Sequence, residues 1–368
     1  MKQGEVIRGY RVVTEPTGAG GARCQWAFAV KDGNAFHIKQ FLMPRWPLES
    51  TPGSTKGKAA KRERCQVFEA RHNRIMKATQ AVSIGGGNLV VAVAFFRDGS
   101  QYYKVTERLD GVAVPDPHGL SPKQRTVMLN TLMNSVEILH RHEIVHNDLK
   151  PDNLILRHTE RGLYSAKLID FDDSYFVGDP PPPEDIVADP AFYSPELLRY
   201  IKAGEDADQR SLTTASDVFA LGVIFHILLT GERPLASDGA TAAYPAETLL
   251  GRGSLIVDER LPDAHRELVT QMLDMEPANR PAAPEIITRL KSAGTAEGPA
   301  AAVRSAPAGR RSPAAPSAPD PVPSPGIRAT GFGRPKPTTP AASPERAPAP
   351  PPAPAVLRIG RGFKSKPS

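Results

Sequence analysis

Four polar side chains of the types that handle phosphate esters occur in two short segments near the middle of the chain. Asp148, Lys150 and Asn153 lie within one stretch that begins at His146, and Asp170 follows seventeen residues after Asn153. Phosphoryl transfer from ATP needs metal ions that bridge the phosphate oxygens, a carboxylate that orients the attacking hydroxyl, and a cation that offsets the transferred charge. Carboxylate and carboxamide oxygens suit Mg²⁺, which is a hard cation. The two segments therefore predict phosphoryl transfer from ATP with Mg²⁺.

The segment 146–153 reads His-Asn-Asp-Leu-Lys-Pro-Asp-Asn. It resembles the catalytic loop of the bacterial eukaryotic-like (Hanks-type) serine/threonine protein kinases, and it matches that pattern at every fixed position except Asn147. The resemblance implies that Asp148 is the catalytic base and that Lys150 steadies the phosphoryl group. It also implies that Asn153 and Asp170 bind the magnesium ion.

Further motifs extend the resemblance over residues 8–292. Lys39 ends the sequence Phe-His-Ile-Lys on a predicted strand, where the family places its phosphate-binding lysine. An ammonium group inside a strand needs a ligand or a carboxylate to offset the cost of desolvation. Glu69, on the helix that follows, is our candidate for that carboxylate, and Glu63 on a similar helical face is the competitor.

The remaining nucleotide-binding positions are predicted from the same resemblance. A glycine-rich loop would let backbone amides approach the phosphates, although the third glycine of the family pattern is missing near Arg23. Its members are Gly18, Gly20 and Gly21. The residue that gates the adenine pocket and the hinge that follows it are predicted at Thr106, Glu107 and Leu109.

Downstream motifs distinguish protein kinases from small-molecule kinases. Ser-Pro-Glu at 194–196 resembles the family's Ala-Pro-Glu, and the segment after Ser216 resembles its Asp-Val-Trp-Ser-Leu-Gly-Val helix. In the family, an arginine at the position of Arg280 pairs with the glutamate at the position of Glu196. These residues favour protein hydroxyls, of Ser or Thr, as acceptors in bacterial signalling, and they argue against a small-molecule phosphotransferase.

Three further departures, together with the degraded glycine-rich loop, motivate an alternative, a pseudokinase that binds nucleotide with little turnover and serves as a scaffold. Asn147 replaces the arginine that grips a phosphorylated activation loop, so activity is not expected to require phosphorylation between 170 and 196. Asp172 replaces a glycine, and with Asp173 it is expected to be solvated or to attract a metal. Asp189 replaces a threonine; its pairing with Lys150 would either order the substrate platform or compete for a catalytic cation.

The elements that must position these groups are predicted from periodicity and turn signals. Alternating runs at 25–30 and 35–41 flank a turn at 31–34, a polar loop covers 44–62, a helix covers 62–79, and a second hairpin covers 89–109. A helix begins at Ser121-Pro122, and helices dominate afterwards. The expected class is α+β, in the two-lobed protein-kinase fold, with a small antiparallel-sheet lobe carrying one helix (8–109) and a larger helical lobe (110–292).

Residues 293–368 form a separate segment rich in Pro, Ala, Ser and Arg, which predicts a disordered tail. Its net charge is +8, which leaves −2 for residues 1–292, so the folded part gives no argument for a nucleic-acid partner. The tail is a candidate docking segment for a protein partner. The two cysteines and the absence of a long apolar run predict a cytoplasmic protein without a transmembrane segment.

Overall fold

The computed structural model describes residues 1–19, 23–83, 88–112, 116, 119–237 and 244–296. Gly20, Gly21 and the tail from 297 onward lie outside the described residues. The first part of the chain forms strands around one helix. These elements are β1 (Val6–Ile7), β2 (Tyr10–Val12), β3 (Thr17–Ala19), β4 (Cys24–Lys31), β5 (Asn34–Phe41), α1 (Thr55–Ser83), β6 (Ala92–Asp98) and β7 (Gln101–Glu107).

The strands form an antiparallel sheet in the order β1-β2-β4-β5-β7-β6, with β3 beside β4. The β4–β5 hairpin turns at Asp32 and Gly33, whose φ values of 50° and 77° suit these two residue types. One face buries an apolar core that includes Ile38, Tyr103 and Val105. Because side chains alternate along a strand, Lys39 and Lys104 belong to the opposite face. They lie directly across from each other on β5 and β7.

Helix α1 lies against that second face and begins earlier than the sequence indicated. The polar stretch 44–62 was expected to be a loop, but the helix starts at Thr55. Cys65, Ile75 and Thr79 are the buried positions of α1, and Phe68 and His72 pack on aromatic rings of the sheet. Ile75 also joins the core of the helical lobe together with Phe171, which ties α1 to the loop that carries Asp170.

The helical lobe follows Asp110. Its elements are α2 (Pro122–Arg141), β8 (Ile144–Val145), β9 (Leu154–His158), β10 (Tyr164–Leu168), β11 (Tyr175–Phe176), α3 (Pro195–Ala203), α4 (Ala215–Thr230), β12 (Leu235–Ala236), α5 (Pro245–Leu250), β13 (Leu255–Ile256), α6 (Asp263–Met272) and α7 (Ala283–Ala296). A capping box between Ser121 and Gln124 starts α2, as Ser-Pro predicted. Helix α4 is buried along almost its whole length and forms the centre of this lobe.

The α+β class and the two-lobed arrangement are those that the sequence predicts. Short antiparallel pairs, β9 with β10 and β8 with β11, frame the two segments that carry the predicted chemistry. Helix α7 continues to Ala296, past the predicted domain boundary at 292. No helix within the described ranges is long and apolar enough to cross a membrane.

Candidate active site

The loop between β8 and β9 is held in place by a buried carboxylate of α4. Asp217 Oδ2 accepts hydrogen bonds from the backbone amide of His146 (2.8 Å), and its Oδ1 accepts from the amide of Asn147 (3.0 Å). His140 Nε2 lies 3.0 Å from Asp217 Oδ2. Asn147 has a φ of 69°, a left-handed conformation that asparagine tolerates well. The loop can therefore turn sharply and present the residues that follow to the cleft.

Asp148, Lys150 and Asn153 form one hydrogen-bonded group. Lys150 Nζ lies 2.6 Å from Asp148 Oδ2, and Asn153 Nδ2 donates to the same oxygen at 2.9 Å. Asp148 Oδ1 is buried and accepts no hydrogen bond from any residue that the structure describes. Burial alone would lower the pKa of Lys150, but Asp148 outweighs it and raises the pKa. One carboxylate oxygen is thus fixed, while the other is left for an incoming donor.

Asp170 enters from the loop after β10 and meets two lysines of the sheet. Asp170 Oδ2 lies 2.8 Å from Lys39 Nζ, and Asp170 Oδ1 lies 3.0 Å from Lys104 Nζ. Burial alone would raise the pKa of Asp170, but Lys104 and Lys39 outweigh it and hold the pKa well below its ordinary value. The Asp170 backbone has a φ of 63°, and the ring of Phe171, which follows it, packs on His146 at 5.1 Å.

Asp172 completes this charge cluster. The sequence suggested that its side chain would be solvated, but the structure shows that it is not. Its Oδ2 lies 2.6 Å from Lys39 Nζ, and its Oδ1 contacts Lys104 Nζ. The side chain is 10% exposed. Its backbone does not adopt a positive φ, unlike that of Asp170, so the replacement of glycine by aspartate causes no strain. Lys39, Lys104, Asp170 and Asp172 are hereafter called the four-charge cluster.

The predicted ion pair between Lys39 and Glu69 is wrong for this structure. Glu69 accepts a hydrogen bond from the Tyr102 hydroxyl at 2.6 Å and lies 3.7 Å from Arg97 Nε. The competitor Glu63 is exposed. The reason is the rotation of α1, because the turn that faces the lysines presents His72 instead. His72 Nε2 lies 3.9 Å from Asp172 Oδ1.

The predicted nucleotide-binding positions that the structure describes lie on β3, at the end of β7 and just after it. Gly18 lies on β3, opposite Gln25, whereas Gly20 and Gly21 lie outside the described residues. Thr106 lies opposite His37 near the end of β7, and Glu107 ends that strand before the half-buried Leu109. The His37 ring lies 5.0 Å from the Trp26 ring at a tilt of 32°, so aromatic rings line the sheet beside Lys39.

The other departures are held by local contacts. Asn147 Nδ2 donates to the Asp173 carbonyl at 3.3 Å. Asp189 Oδ1 accepts from the Ala191 amide at 2.9 Å and caps a short 3₁₀ helix, Pro190–Phe192, while Lys150 is bound to Asp148. Lys150 pairs with Asp148 and not with Asp189. The ion pair from which both predicted alternatives follow, an ordered substrate platform or competition for a catalytic cation, is therefore not formed.

Sequence reasoning missed Lys104 and His72 as members of the site. The signal was present, because Tyr102, Lys104 and Thr106 alternate on one face of a strand that pairs with β5. A second lysine on that face, opposite Lys39, requires a second carboxylate nearby.

The donor set available for a metal consists of Asp170 and Asn153. The Asn153 amide nitrogen is engaged by Asp148, which leaves the amide oxygen, the atom that a metal would contact. A carboxylate with an amide oxygen fits a hard cation bound together with phosphate oxygens. Within the described ranges, no group of three or more His, Cys, Asp or Glu side chains is placed to hold a metal ion.

The sequence profile of the protein kinase domain matches residues 50–290, which is more than half of the chain. The chain therefore belongs to the protein kinase domain family. It is similar to ribosomal protein S6 kinase 2 alpha from Gallus gallus, with 26% identity over 212 residues, which cover 54% of this chain and 27% of that relative. It is also similar to the death-associated protein kinase dapk-1 of Caenorhabditis elegans (30% over 164 residues; 44% and 11%) and to calcium-dependent protein kinase SK5 of Glycine max (27% over 206 residues; 54% and 38%). The alignments span less than half of each of these relatives.

Proposed function

We propose that this protein transfers the γ-phosphoryl group of ATP to Ser or Thr hydroxyls of protein substrates, with Mg²⁺ as the metal. The observation that carries the proposal is the state of Asp148. One oxygen is fixed by Lys150 and Asn153, and the other is buried with no hydrogen-bond donor among the described residues. A buried acceptor of this kind is suited to receive the proton of a substrate hydroxyl.

The reaction follows from the charges around that acceptor. The substrate oxygen attacks the γ-phosphorus, its proton passes to Asp148 Oδ1, and the bond from the γ-phosphorus to the β,γ-bridging oxygen breaks to release ADP. Lys150, beside Asp148, offsets negative charge at the transferred group, and Lys39 contacts the phosphates. Asn153 and Asp170 would hold the metal, which neutralises phosphate charge when bound. The chain's contribution is positioning and electrostatic stabilisation.

The wider assignments belong to the same proposal. The kinase domain covers about residues 8–292, with the nucleotide between the lobes at residues 8–109 and 110–292. Gly18, Gly20 and Gly21 would approach the phosphates, and Thr106, Glu107 and Leu109 would contact the adenine. The tail, residues 293–368, is a candidate docking segment, and a cytoplasmic location stays a prediction.

The test is incorporation of labelled γ-phosphate from ATP in the presence of Mg²⁺, with a basic protein acceptor and the purified full chain. Asp148→Asn and Asp170→Asn should each abolish incorporation. Asp263→Asn is the control, because Asp263 is an exposed carboxylate at the start of α6 and should leave activity unchanged. Mass spectrometry of the labelled residues then distinguishes Ser and Thr from Tyr. Nucleotide binding without incorporation, over several acceptors, would contradict the proposal in favour of the scaffold alternative.

A further inference from the structure

The four-charge cluster brings together two lysines that repel each other. Lys39 and Lys104 are direct cross-strand partners, and their side chains are only 13% and 11% exposed. Like charges at such a position destabilise a sheet, and their burial adds a desolvation cost. Asp170 and Asp172 each contact both lysines, so the cluster is electrically balanced. The second buried lysine, Lys104, therefore requires the second carboxylate, which Asp172 supplies.

Helix α1 supplies no carboxylate to this cluster. The side chain of α1 that reaches it is His72, which packs against the rings of Phe68 (4.0 Å) and Phe95 (4.9 Å). Burial lowers the pKa of His72 to about 4, so the ring is neutral near pH 7. Glu69 accepts a hydrogen bond from the Tyr102 hydroxyl at 2.6 Å and does not join the cluster. The carboxylate that holds Lys39 must come from elsewhere if Asp170 is to bind a metal.

We propose that Asp172 is the positioning residue for Lys39, in the role that a helix glutamate would otherwise have. In this proposal Lys104 is the permanent counter-ion of Asp172. This inference rests on the proposed function, since it concerns how Lys39 is presented to ATP. Asp172 is placed for the task by its 2.6 Å contact with Lys39 Nζ and by its position on the loop that also carries Asp170.

The pairing explains how the cluster can open without leaving a buried charge unpaired. With the triphosphate and its metal bound, Asp170 would hold the metal and Lys39 would contact phosphate oxygens. Lys104 then keeps Asp172 as its partner, and Asp172 keeps its contact with Lys39. Without a carboxylate at 172, Lys104 would have only Asp170 and would compete with the metal for it. Asp172 therefore frees Asp170 for metal binding.

The cluster also borders open space. His72, Lys104, Thr106 and Asp172 line a small pocket between α1 and the sheet, with a volume of about 20 Å³.

The test compares the affinities of the full-length protein for ATP and for adenosine with Mg²⁺ present, by calorimetry. Only ATP contacts Lys39 through its phosphates, so the ratio of the two affinities reports how Lys39 is presented. Asp172→Asn keeps the shape and removes the charge. We expect it to lower the preference for ATP about tenfold or more, the effect of losing one charge contact of this kind. Its adenosine affinity should be unchanged, which also shows that the variant is folded.

Two further variants test the mechanism. Lys104→Met added to Asp172→Asn should recover part of the ATP preference, because Lys104 no longer competes with the metal for Asp170. For the same reason, the double variant should bind ATP at a lower Mg²⁺ concentration than Asp172→Asn does. His72→Glu added to Asp172→Asn should also recover ATP preference, because it returns a carboxylate to the helix face beside Lys39; His72→Gln is the uncharged control and should not.

An unchanged or increased preference for ATP in Asp172→Asn would overturn the inference, since it would make Asp172 either irrelevant to Lys39 or a competitor of the phosphates. The binding ratio does not depend on phosphoryl transfer. A wild-type protein that binds ATP in this Asp172-dependent way but transfers no phosphate would contradict the proposed function alone.

Discussion

Arg280 holds Glu196 in a two-point ion pair in which both side chains are almost completely buried. Arg280 Nη1 and Nη2 lie 2.7 and 2.8 Å from the two carboxylate oxygens of Glu196. Nη1 also donates to the Ala215 carbonyl at 2.8 Å, at the start of α4. The pair fixes the end of the segment 170–196, and so links that segment to the core of the helical lobe.

Arg280→Met should lower the free energy of unfolding by about 3–5 kcal/mol, because it leaves the Glu196 charge buried without its partner. Glu196→Gln combined with Arg280→Met should recover part of this loss. Arg62→Met, which removes the exposed partner of Glu49, is the matched control and should cost less than about 0.5 kcal/mol. Urea unfolding of the three variants measures the differences. Equal losses in the buried and exposed variants would contradict the prediction.

Asp217→Asn should lower kcat by about 10- to 100-fold with little change in the KM for ATP, because the catalytic loop would lose one of its two anchored amides and Asp148 would move. The side chain of Asp217 accepts from both His146 and Asn147, and an asparagine offers only one oxygen. Steady-state kinetics against ATP give the two constants. Asp206→Asn, an exposed change, is the control. A rise in KM without loss of kcat would show that Asp217 does not position the loop for chemistry.

Local signals in the sequence were sufficient to predict those structural features that depend only on residues close together in the chain. Ser121 and Pro122 predicted the start of α2, and the structure confirms that start with a capping box. The turn at 31–34 and the alternation around it predicted the β4–β5 hairpin, which is also present. These features depend on backbone conformation and periodicity, both of which are readable from short windows.

The partner of Lys39 could not be predicted in the same way, because it depends on how α1 is rotated against the sheet. Glu69 and His72 are less than one turn apart, and the packing of Phe68 and His72 on the rings of β5 and β6 decides which side chain faces Lys39. The start of α1 was missed for a related reason, since the first turns are largely exposed and have no apolar periodicity. Asp172 was expected to be exposed to solvent because the sequence analysis did not predict that Lys104 would lie beside it.

Activity should not require phosphorylation of the segment 170–196. Its hydroxyls, at Ser174, Tyr175, Tyr193 and Ser194, are all buried. Ser174 is fully inaccessible and its hydroxyl donates to the His146 carbonyl at 3.2 Å. Protein treated with a phosphatase, and then shown by mass spectrometry to be free of phosphate, should keep its rate from the first turnover. A lag that ends with phosphorylation of Ser174 would contradict this prediction.

Ser174→Ala and Ser174→Asp extend the same prediction to stability. Ser174→Ala should keep most of the activity, because it removes one buried hydrogen bond of about 1 kcal/mol. Ser174→Asp should instead lower the melting temperature and the activity, because it places a charge where no solvent reaches. Thermal unfolding and phosphate incorporation measure both effects. An aspartate variant as stable and as active as the wild type would show that this part of the segment opens readily.

The sheet-bearing lobe should become less stable as the pH falls, because His72 is neutral in the folded chain and is protonated more easily in the unfolded chain. Burial lowers the pKa of His72 to about 4 from its ordinary value of 6.5; Asp172 opposes this shift, and Lys104 and Arg71 reinforce it. The unfolded chain therefore takes up a proton as the pH falls below 6.5, whereas the folded chain does so only near pH 4. The stability contributed by the neutral ring is present above pH 6.5 and is lost between these values, by about 2 kcal/mol at pH 5.

His72→Phe keeps an aromatic ring against Phe68 and Phe95 but cannot be protonated. The free energy of unfolding, measured in urea at pH 7 and at pH 5, should fall by about 2 kcal/mol more in the wild type than in His72→Phe. The pKa of His37 is also lowered to about 4 by burial, but its contribution is common to both proteins and cancels in the comparison. Equal losses in the two proteins would show that His72 is already protonated in the folded state at pH 5, and hence that Asp172 stabilises its charged form.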